Sequence, residues 1–482
     1  MTITRRSLIA GSAAMAALRP FRARAAPLPR DVDIAIIGAG AAGIAAARRI
    51  AAAGKKVAVL EATAAVGGRC ATDTSTFEVP FDRGARWLYN SDTNPLIAPA
   101  REANIILAPA PRGQKIRIER RNARAGETED FLALVVRANR AMMEAVRGRP
   151  DVPALDALPK DFLQEWGGTL DFFLGAFATG RDLKDISAAD LITMQPRDPA
   201  SASRQGLGTL IARLAENIPV ALSTPVTRIA WSGRDAQIET EAGVLTARAV
   251  IVTASTNVIN AGKIRFSPEL PKRQLDALSK LVLGSTDRIA MELPGNPLGL
   301  GRDDSYIEKS SDNRTAFLLA NAGGSSLCQI DVAGSFGRDL SAQGEGAMTA
   351  FALEWLRKLF GGDVAKSVKH SAVTNWNGAP YAMGAMSAAL VGGQPSRKIL
   401  MEPLGPLFFA GDAVHDTLWG TVGGAWSSGE RAADAALRKL SGKIDGMAQE
   451  AKPAKPLKRR DIERRDADRA PVGGLSWPKQ RQ

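Results

Sequence analysis

The chain has 482 residues, 45% hydrophobic and 23% charged, a balance typical of globular proteins and a length that favours two to four domains. Its formal net charge of +13 is concentrated at the ends: residues 1–26 contribute +5 and residues 451–482 contribute +6, which leaves +2 for the body. Nucleic-acid binding needs basic side chains clustered on the folded surface, so we expect no nucleic-acid partner. With only Cys70, Cys328 and two histidines, none at a zinc-binding spacing, we expect no disulfide framework and no metal site.

The first 26 residues have the composition of an export signal. Adjacent Arg5 and Arg6 precede an apolar stretch, residues 8–18, that is too short to span a bilayer, and a small-x-small cleavage pattern follows at residues 23–25. This arrangement resembles a twin-arginine signal peptide, which we place at residues 1–25. The resemblance implies export of the folded protein by the twin-arginine translocase to a bacterial periplasm. The alternative is a disordered basic arm.

The first strand, turn and helix of the body have the spacing of a dinucleotide-binding unit. Residues 32–37 predict a buried parallel strand, and Gly38, Gly40 and Gly43 follow it before an alanine-rich helix. The first glycine allows a tight turn, the second lets a pyrophosphate approach the backbone, and the third lets helix and strand pack closely. Glu61 ends the next apolar strand, where its carboxylate can bind ribose hydroxyls. We therefore predict an α/β fold with a Rossmann-like domain.

A second glycine turn favours FAD over NAD as the cofactor. Gly67, Gly68 and Arg69 come shortly after Glu61, and this turn resembles the GG motif of FAD-dependent amine oxidases, a family with flavin monoamine oxidases and polyamine oxidases among its members. The resemblance implies that Arg69 brings its charge to the FAD phosphates. It also implies the family's fold, a Rossmann-like FAD-binding domain of the GR2 type with an inserted α+β substrate domain.

Two segments after this turn resemble the same family. Residues 81–90 match a segment that would place Gly84 close to the flavin. Residues 225–255 predict three strands, and the resemblance places Val226, which opens the first of them, against the adenine through its backbone.

A third segment, residues 375–387, resembles the family's Trp-x-x-Gly-x-x-Tyr stretch. The resemblance places Tyr381 where the family has an aromatic side chain facing the flavin. Pro380 stands where animal monoamine oxidases have the cysteine that forms a covalent flavin bond. We therefore expect FAD to be bound non-covalently.

Residues 406–437 resemble the family's C-terminal FAD motif. Asp412 follows an apolar strand and would hold the ribityl chain or the pyrophosphate. Thr421 and Val422 would place backbone N–H groups and a helix N-terminus at the flavin edge where negative charge develops on reduction. We expect the two glycines that follow to lack side chains because the flavin ring lies on them.

The sequence departs from the family pattern at several positions. Arg288 stands where most members have a lysine that reaches flavin N5 through a water and helps the reduced flavin react with oxygen. It either keeps the charge there while altering the water site, or turns outward to a surface acid. Monoamine oxidases flank the flavin with two tyrosines, and the resemblance places the second of them at Thr421. Trp419 lies two residues earlier, so any aromatic cage around the flavin is partial. Arg288, Tyr381 and Trp419 are the candidate catalytic residues. Arg86 is one position away from the carboxylate-binding arginine of L-amino-acid oxidases, so an amino-acid substrate is not favoured.

These observations predict an FAD-dependent oxidoreductase that moves a hydride from an amine's α-C–H to flavin N5 and is reoxidised by O2 or a periplasmic acceptor. Two alternatives are a carbon–carbon desaturase built on the same fold and a non-catalytic periplasmic flavoprotein. We leave open a homodimer and weak contact of the basic tail with a membrane surface; the tail is otherwise expected to be disordered. The predicted boundaries are 31–100, 201–265 and 395–445 for the FAD-binding domain, 101–200 and 266–394 for the substrate domain, and 446–482 for the tail.

Overall fold

The computed structural model of the protein describes residues 29–442, apart from positions 112, 199 and 363. The predicted export signal and the tail lie outside the described residues. The helices, in chain order, are α1 (Ala41–Ala52), α2 (Ile97–Glu102), α3 (Ala125–Val146), α4 (Gly167–Leu170), α5 (Phe177–Thr179), α6 (Ala188–Ile192), α7 (Leu207–Leu214), α8 (Thr256–Asn260), α9 (Lys272–Lys280), α10 (Gly334–Ala342), α11 (Glu345–Phe360), α12 (Ser396–Met401) and α13 (Val422–Leu440). The strands are β1 (Asp31–Ile37), β2 (Val57–Leu60), β3 (Thr72–Asp73), β4 (Phe81–Asp82), β5 (Leu88–Tyr89), β6 (Leu107–Pro109), β7 (Lys115–Ile118), β8 (Arg121–Asn122), β9 (Ala200–Ser203), β10 (Val220–Ala221), β11 (Val226–Ala230), β12 (Ala236–Thr240), β13 (Gly243–Val252), β14 (Arg265–Ser267), β15 (Leu281–Leu283), β16 (Thr286–Glu292), β17 (Ser305–Glu308), β18 (Phe317–Leu319), β19 (Leu327–Ala333), β20 (His370–Val373), β21 (Ser387–Ala389) and β22 (Leu407–Phe409).

The central sheet has the strand order β10-β2-β1-β13-β12-β11-β14, and β22 pairs with the second half of β13. Strand β1 lies between β2 and β13 and runs parallel to both, so the turn after Ile37 leaves the carboxyl edge of the sheet. Its apolar side chains are buried because helices cover both faces of the sheet. The predicted Rossmann-like unit is confirmed, and the three strands predicted within residues 225–255 are β11, β12 and β13.

The first and last helices of the described chain pack against each other on one face of this sheet. A Cβ atom on Gly429 of α13 would lie 2.0 Å from the carbonyl oxygen of Ala42 in α1, so the two backbones are in close contact. An ion pair joins the same helices, with Arg49 Nε 2.7 Å from Asp434 Oδ1. Apolar side chains of α1, α7 and α13 form one core there, and a second core lies on the opposite face.

A second sheet, in the order β20-β16-β19-β18-β17-β7-β8, forms the centre of the other half of the molecule. Helices α10 and α11 contribute to a core with its strands. Another core contains side chains from α3 to α6 together with Phe317 and Leu319 of β18. Trp166, Phe172 and Phe173 are buried in this helical core, which explains their helical spacing in the sequence.

The sheet that carries the dinucleotide turn extends beyond the boundary predicted at residue 265. Strand β14 spans that position and pairs with β11. Helix α9 contributes buried side chains to the core on the face of the same sheet opposite α1 and α13. Leu281, at the start of β15, belongs to this core as well. A three-residue strand has no readable periodicity, so its pairing could not be anticipated from the sequence.

A half-buried carboxyl beside the helical core leads to a pH-dependent prediction. Asp171 begins a π-helical turn; burial raises its pKa to about 6, against the hydrogen bond that its Oδ1 accepts from the Leu183 amide. A carboxyl with a raised pKa stabilises the fold below its unfolded pKa of about 3.9, and this contribution is lost as the pH rises through about 6. A shift of about two pKa units corresponds to at most about 3 kcal/mol, and partial exposure of Asp171 reduces it. We therefore expect Asp171→Asn to exceed the wild type in unfolding free energy by about 1–3 kcal/mol at pH 8, with the difference closing by about pH 4.

Urea unfolding at pH 4, 6 and 8 measures this difference. Asp130→Asn, which changes an exposed carboxylate on α3, is the control and should give no comparable trend. A constant difference between Asp171→Asn and wild type across the three pH values would contradict the assignment.

Candidate active site

The glycine turn after β1 combines close packing with open space. Gly38 has a φ of +104°, which favours glycine, and a Cβ atom on Gly43 would lie only 1.9 Å from the Gly38 carbonyl oxygen. At Gly40 the nearest protein atom to such a Cβ is the Gly67 carbonyl oxygen, 3.8 Å away. Space is therefore open at the N-terminus of α1, where free backbone N–H groups suit a phosphate.

Glu61 and the second glycine turn lie beside the same helix start. The buried carboxylate of Glu61 accepts a hydrogen bond from the Ala39 amide at 2.7 Å and two from Thr63, from its amide at 2.8 Å and from its hydroxyl at 2.7 Å. A carboxylate has about four acceptor positions, so one remains on Oε2 for a ribose hydroxyl. Gly67 donates its amide to the Ala39 carbonyl oxygen at 2.9 Å, and a Cβ on Gly68 would lie 3.4 Å from Gly40 Cα. The two predicted turns are therefore adjacent.

Arg69 and Asp412 form an ion pair across 343 residues of sequence. Arg69 Nη2 donates to Asp412 Oδ1 at 2.7 Å, and its Nη1 donates to the Ala385 carbonyl oxygen at 2.5 Å. The second carboxylate oxygen of Asp412 accepts the Ser387 amide at 2.8 Å. Burial raises the pKa of Asp412, but the charge of Arg69 and these hydrogen bonds outweigh it and hold that pKa below its usual range. The pair joins the second glycine turn to the C-terminal motif.

The N-terminus of α13 is capped by Thr421. Its Oγ1 accepts the Gly424 amide at 3.0 Å and donates to the Leu418 carbonyl oxygen at 2.6 Å. Val422 opens the helix, so its amide belongs to the first turn, which has no acceptor within the helix. A Cβ on Gly424 would lie 2.0 Å from the Leu418 carbonyl oxygen. The loop itself therefore requires this glycine, which corrects the expectation that the flavin ring does.

Gly84 and Val226 lie on the two segments between these motifs. A Cβ on Gly84 would meet the Arg69 carbonyl oxygen at 2.0 Å and the Trp376 ring at 3.0 Å, so packing within the protein requires glycine there. Val226 is buried at the start of β11, in the core below the central sheet. Gly84 is thus adjacent to the Arg69–Asp412 pair.

Arg288 points inward, which rules out the alternative of an outward arginine. Its Nε donates to Asp331 Oδ1 at 2.6 Å, and its Nη1 donates to the Gly84 carbonyl oxygen at 3.1 Å and to the Asp82 carbonyl oxygen. Arg86 pairs with the other carboxylate oxygen of Asp331. We call Arg86, Asp331 and Arg288 the arginine cluster. Two guanidinium groups share one carboxylate, so the cluster has a net positive charge directly beside Gly84.

The charges of this cluster stabilise one another. Burial raises the pKa of Asp331, but the two arginines outweigh it and hold that pKa below its usual range. Burial and the charge of Arg288 lower the pKa of Arg86 to about 10, so Arg86 stays protonated at neutral pH. Arg86 also donates to Gln329 Oε1 at 3.0 Å. Arg86, which lies one position from the carboxylate-binding arginine of L-amino-acid oxidases, is therefore already paired with groups of the protein.

A cavity of about 350 Å³ lies in front of the arginine cluster. Trp87, Tyr89 and Phe317 form its aromatic wall. The Arg86 guanidinium lies 5.1 Å from the centre of the Trp87 ring and 5.3 Å from that of Phe317, so the cluster is directly behind this wall. Arg197 also lines the cavity, and its Nη2 lies 3.6 Å from where a Cβ on Gly420 would be. The cavity thus borders the loop that leads into α13.

Two of the three candidate catalytic side chains are placed differently from the expectation. Tyr381 is 43% exposed and does not line this cavity. From the same segment, Ala385 contacts Arg69, because its carbonyl oxygen accepts the hydrogen bond from Arg69 Nη1. Trp419 is fully buried, with its ring 4.5 Å from the Arg397 guanidinium. Both expectations came from the spacing of a resemblance, which does not give side-chain direction. The aromatic side chains that line the cavity are Trp87, Tyr89 and Phe317.

Sequence reasoning missed the partners that make this site. Tyr89 lies in a segment singled out from the sequence, but its role was not anticipated. Asp331, Phe317 and Arg197 lie on segments with no motif. The pairing of β18 with β19 and the path before β9 bring Phe317 and Arg197 to the cavity, and Asp331 to the arginines behind it.

The described part of the chain contains neither a cluster of metal-binding side chains nor a membrane-spanning helix. Within it, no three or more His, Cys, Asp or Glu side chains are grouped so as to hold a metal ion. No helix of residues 29–442 is long and apolar enough to cross a membrane.

The arrangement fits FAD. Two helix N-termini, the open space over Gly40, the ribose-binding capacity of Glu61 and the Arg69–Asp412 pair line the carboxyl edge of one parallel sheet. Such an edge is where doubly wound folds bind dinucleotides.

Both cysteines of the sequence are buried, and burial raises the pKa of the Cys70 thiol to about 12, so Cys70 is not a reactive thiolate.

Comparison with known families identifies the class. Residues 36–99 match the NAD(P)-binding Rossmann-like domain. Residues 141–437, more than half of the chain, match the family described as flavin containing amine oxidoreductase. The chain belongs to this family. It is an FAD-dependent oxidoreductase of the class that acts on CH–NH groups, and its FAD is bound non-covalently.

Individual relatives are distant. Polyamine oxidase 5 of Oryza sativa subsp. japonica is 28% identical over 85% of this chain and 88% of its own length. Lysine-specific histone demethylase 2 of Homo sapiens is 27% identical over 84% of this chain, but the match spans only 54% of that protein. Among solved structures, cyclohexylamine oxidase from Brevibacterium oxydans has a TM-score of 0.72 at 20% identity, covering 85% of this chain and 100% of that one. Putrescine oxidase bound to putrescine has a TM-score of 0.73 at 19% identity, with 84% and 99% covered. The structural likenesses establish the fold.

Proposed function

We propose that the protein oxidises an amine at its α-carbon to an imine, which water then hydrolyses. The observation that carries this proposal is the aromatic cavity between the arginine cluster and the loop leading into α13. Its volume of about 350 Å³ suits a small molecule. Relatives named polyamine oxidase, putrescine oxidase and cyclohexylamine oxidase support an amine as the substrate class.

The chain's own residues prepare the amine for this reaction. Bound FAD supplies the acceptor for the hydride equivalent that leaves the α-carbon. Trp87, Tyr89 and Phe317 exclude water from the amine, and the net positive arginine cluster behind them disfavours the protonated form. A neutral amine needs no general base, which fits a site without a histidine at the cavity. The α13 N-terminus would stabilise negative charge that develops at the cofactor.

Anaerobic addition of primary, secondary and polyamines to the FAD-loaded protein tests this proposal. Loss of the oxidised flavin absorbance band with at least one amine is the expected result. A flavin that stays oxidised with every amine, yet bleaches with dithionite, would contradict it. That outcome would favour carbon–carbon desaturation or a non-catalytic role.

We also propose that oxygen is a slow electron acceptor and that a periplasmic acceptor is used. Arg288 is held by Asp331 and by two backbone carbonyls, and a guanidinium cannot donate a proton at neutral pH. This arrangement keeps positive charge near Gly84, but the N–H groups of Arg288 are hydrogen-bonded to Asp331 and to backbone carbonyls.

Arg288→Lys is expected to speed reoxidation of the reduced enzyme by air and to leave its reoxidation by cytochrome c nearly unchanged. A lysine is shorter and its ammonium is mobile, so it leaves room for water. Stopped-flow absorbance of the reduced protein mixed with aerated buffer or with ferricytochrome c measures both rates. Rapid reoxidation of the unchanged protein by air alone would contradict the proposal.

The proposed location is the periplasm, reached through the twin-arginine translocase. The adjacent arginines at the N-terminus and the need to acquire FAD before export support this location. Replacing Arg5 and Arg6 by lysines in a bacterial host should retain the protein in the cytoplasm. Unchanged export of that variant would contradict the proposal.

A further inference from the structure

The active-site cavity contains a buried arginine that has no anionic partner. Arg197 is only 5% exposed and lines the cavity. Its Nη1 donates to the Ala178 carbonyl oxygen at 2.9 Å, but Nε and Nη2 have no hydrogen-bond acceptor among the described residues. The Tyr89 ring lies against the guanidinium, 5.3 Å from its central carbon. One edge of a buried cation is thus left unpaired.

That edge has the shape of a carboxylate-binding group. Nε and Nη2 lie on the same side of the planar guanidinium, and their two N–H bonds match the two oxygens of a carboxylate. Burial lowers the pKa of Arg197, but a guanidinium stays charged at neutral pH. A buried, unpaired charge is unfavourable, which indicates that a ligand supplies the missing anion.

The segment around Arg197 is fixed in place. The Gln195 amide donates to the Thr417 carbonyl oxygen at 3.0 Å, and Asn90 Nδ2 donates to the Pro196 carbonyl oxygen at 2.5 Å. These bonds tie the segment to the loop that leads into α13 and to the end of β5. Arg197 is therefore positioned beside the same loop as the cofactor cradle.

A second polar side chain in the cavity, Gln114, has an acceptor atom without a hydrogen-bond donor in the described part of the chain. Gln114 is 4% exposed and lines the cavity, and its Oε1 has no donor among the described residues. A donor edge without an acceptor and an acceptor without a donor share one cavity. Together they fit a ligand with both a carboxylate and an N–H group.

The charges of the cavity argue against a ligand with positive charge only. Asp92 and Asp198 are the acidic residues of the lining, and both are exposed. Among the described residues of the lining, the buried charged side chain is Arg197, and the net positive arginine cluster lies behind the aromatic wall. A polyamine would place an ammonium against these cations, which is unfavourable.

We propose that the substrate is an amine that also bears a carboxylate, and that Arg197 binds this carboxylate through its Nε and Nη2 edge. Gln114 accepts a hydrogen bond from an N–H of the same ligand. The inference rests on the proposed amine oxidation and names its substrate class. Both nitrogens of the edge are covered in the ligand-free chain, so binding includes a small movement of Arg197 or of Tyr89.

Calorimetric titration of the FAD-loaded protein with butyrate, which has no amine to oxidise, tests the anion site directly. We expect Arg197→Met to weaken butyrate binding by about 30-fold or more, because a bidentate, charge-assisted pair is lost. Arg197→Lys should restore part of the affinity. Arg147→Met, which removes an exposed arginine after α3, is the control and should bind butyrate like the wild type. The flavin spectrum and thermal unfolding of each variant check that it is folded and loaded.

Anaerobic bleaching with butylamine, putrescine, 2-aminobutyrate and 4-aminobutyrate separates this inference from the proposed function. We expect one of the aminocarboxylates to reduce the flavin faster than butylamine or putrescine, and Arg197→Met to abolish that preference. Bleaching by butylamine or putrescine with no advantage for either aminocarboxylate, or butyrate binding that is absent or unchanged in Arg197→Met, would overturn the inference and leave amine oxidation standing. No bleaching by any amine would overturn the proposed function, and the butyrate titration would still decide the anion site.

Discussion

Asp331→Asn is expected to lower the free energy of unfolding by about 3–5 kcal/mol. Asp331 is 2% exposed and is the shared carboxylate of Arg86 and Arg288. An asparagine of the same size leaves two buried guanidinium groups without a counter-charge, and their repulsion and lost solvation both act against folding. Urea unfolding of the FAD-free protein at pH 7, followed by tryptophan fluorescence, measures the change.

Asp434→Asn is the matched control for this prediction. It breaks the exposed pair with Arg49 and should cost less than about 1 kcal/mol. The pH dependence has a defined sign, because the folded pKa of Asp331 is lowered. Its stabilisation is complete above the unfolded pKa and is lost as the pH falls through the folded value. Equal costs for the two asparagine variants would refute the view that the buried cluster is held by one carboxylate.

Gly40→Ala is expected to weaken FAD binding by about 10- to 100-fold while leaving the FAD-free fold nearly as stable as the wild type. A Cβ at this position has no protein atom closer than 3.8 Å, so the chain accommodates it. The methyl group would stand at the N-terminus of α1, where the phosphate must approach the backbone. FAD titration followed by quenching of protein fluorescence gives the affinity, and urea unfolding gives the stability.

Gly43→Ala, three residues later, separates the two effects. Its Cβ would lie 1.9 Å from the Gly38 carbonyl oxygen, so the turn and helix must move apart even without FAD. We expect a loss of about 1–3 kcal/mol, or more, in the stability of the FAD-free protein. If Gly40→Ala destabilised the FAD-free protein as much as Gly43→Ala does, the open space over Gly40 would not be the ligand's.

The dinucleotide unit could be predicted because each of its parts is local in sequence. The apolar run of β1, the spacing of Gly38 and Gly43, and the acid at the end of β2 each follow from chemistry within 31 residues. The pairing of β14 across residue 265 could not be predicted, for the opposite reason. Strand β14 is defined only by its partner β11, and a partner cannot be read from three residues.

The same distinction separates the predicted and the missed residues of the site. Arg69 and Asp412 were singled out, but their mutual pairing depends on a fold that brings residues 343 positions apart together. Tyr381 was placed by spacing alone, which does not give the direction of a side chain; its side chain is 43% exposed. Arg197 had no motif to mark it; what distinguishes it is that its Nε and Nη2 have no acceptor among the described residues, which only a folded structure reveals.

The packing of α1 against α13 has a consequence for synthesis of the chain. The first helix, which begins at Ala41, emerges from the ribosome long before α13, which begins at Val422 and covers it. Strand β13 likewise ends at Val252 and must wait for β22, which begins at Leu407. Until residues 407–440 have been made, one side of α1 is exposed and half of the cofactor cradle does not exist. Cofactor capture is therefore a late, post-translational event, and a ribosome that stalls before Val422 releases a chain unable to retain FAD.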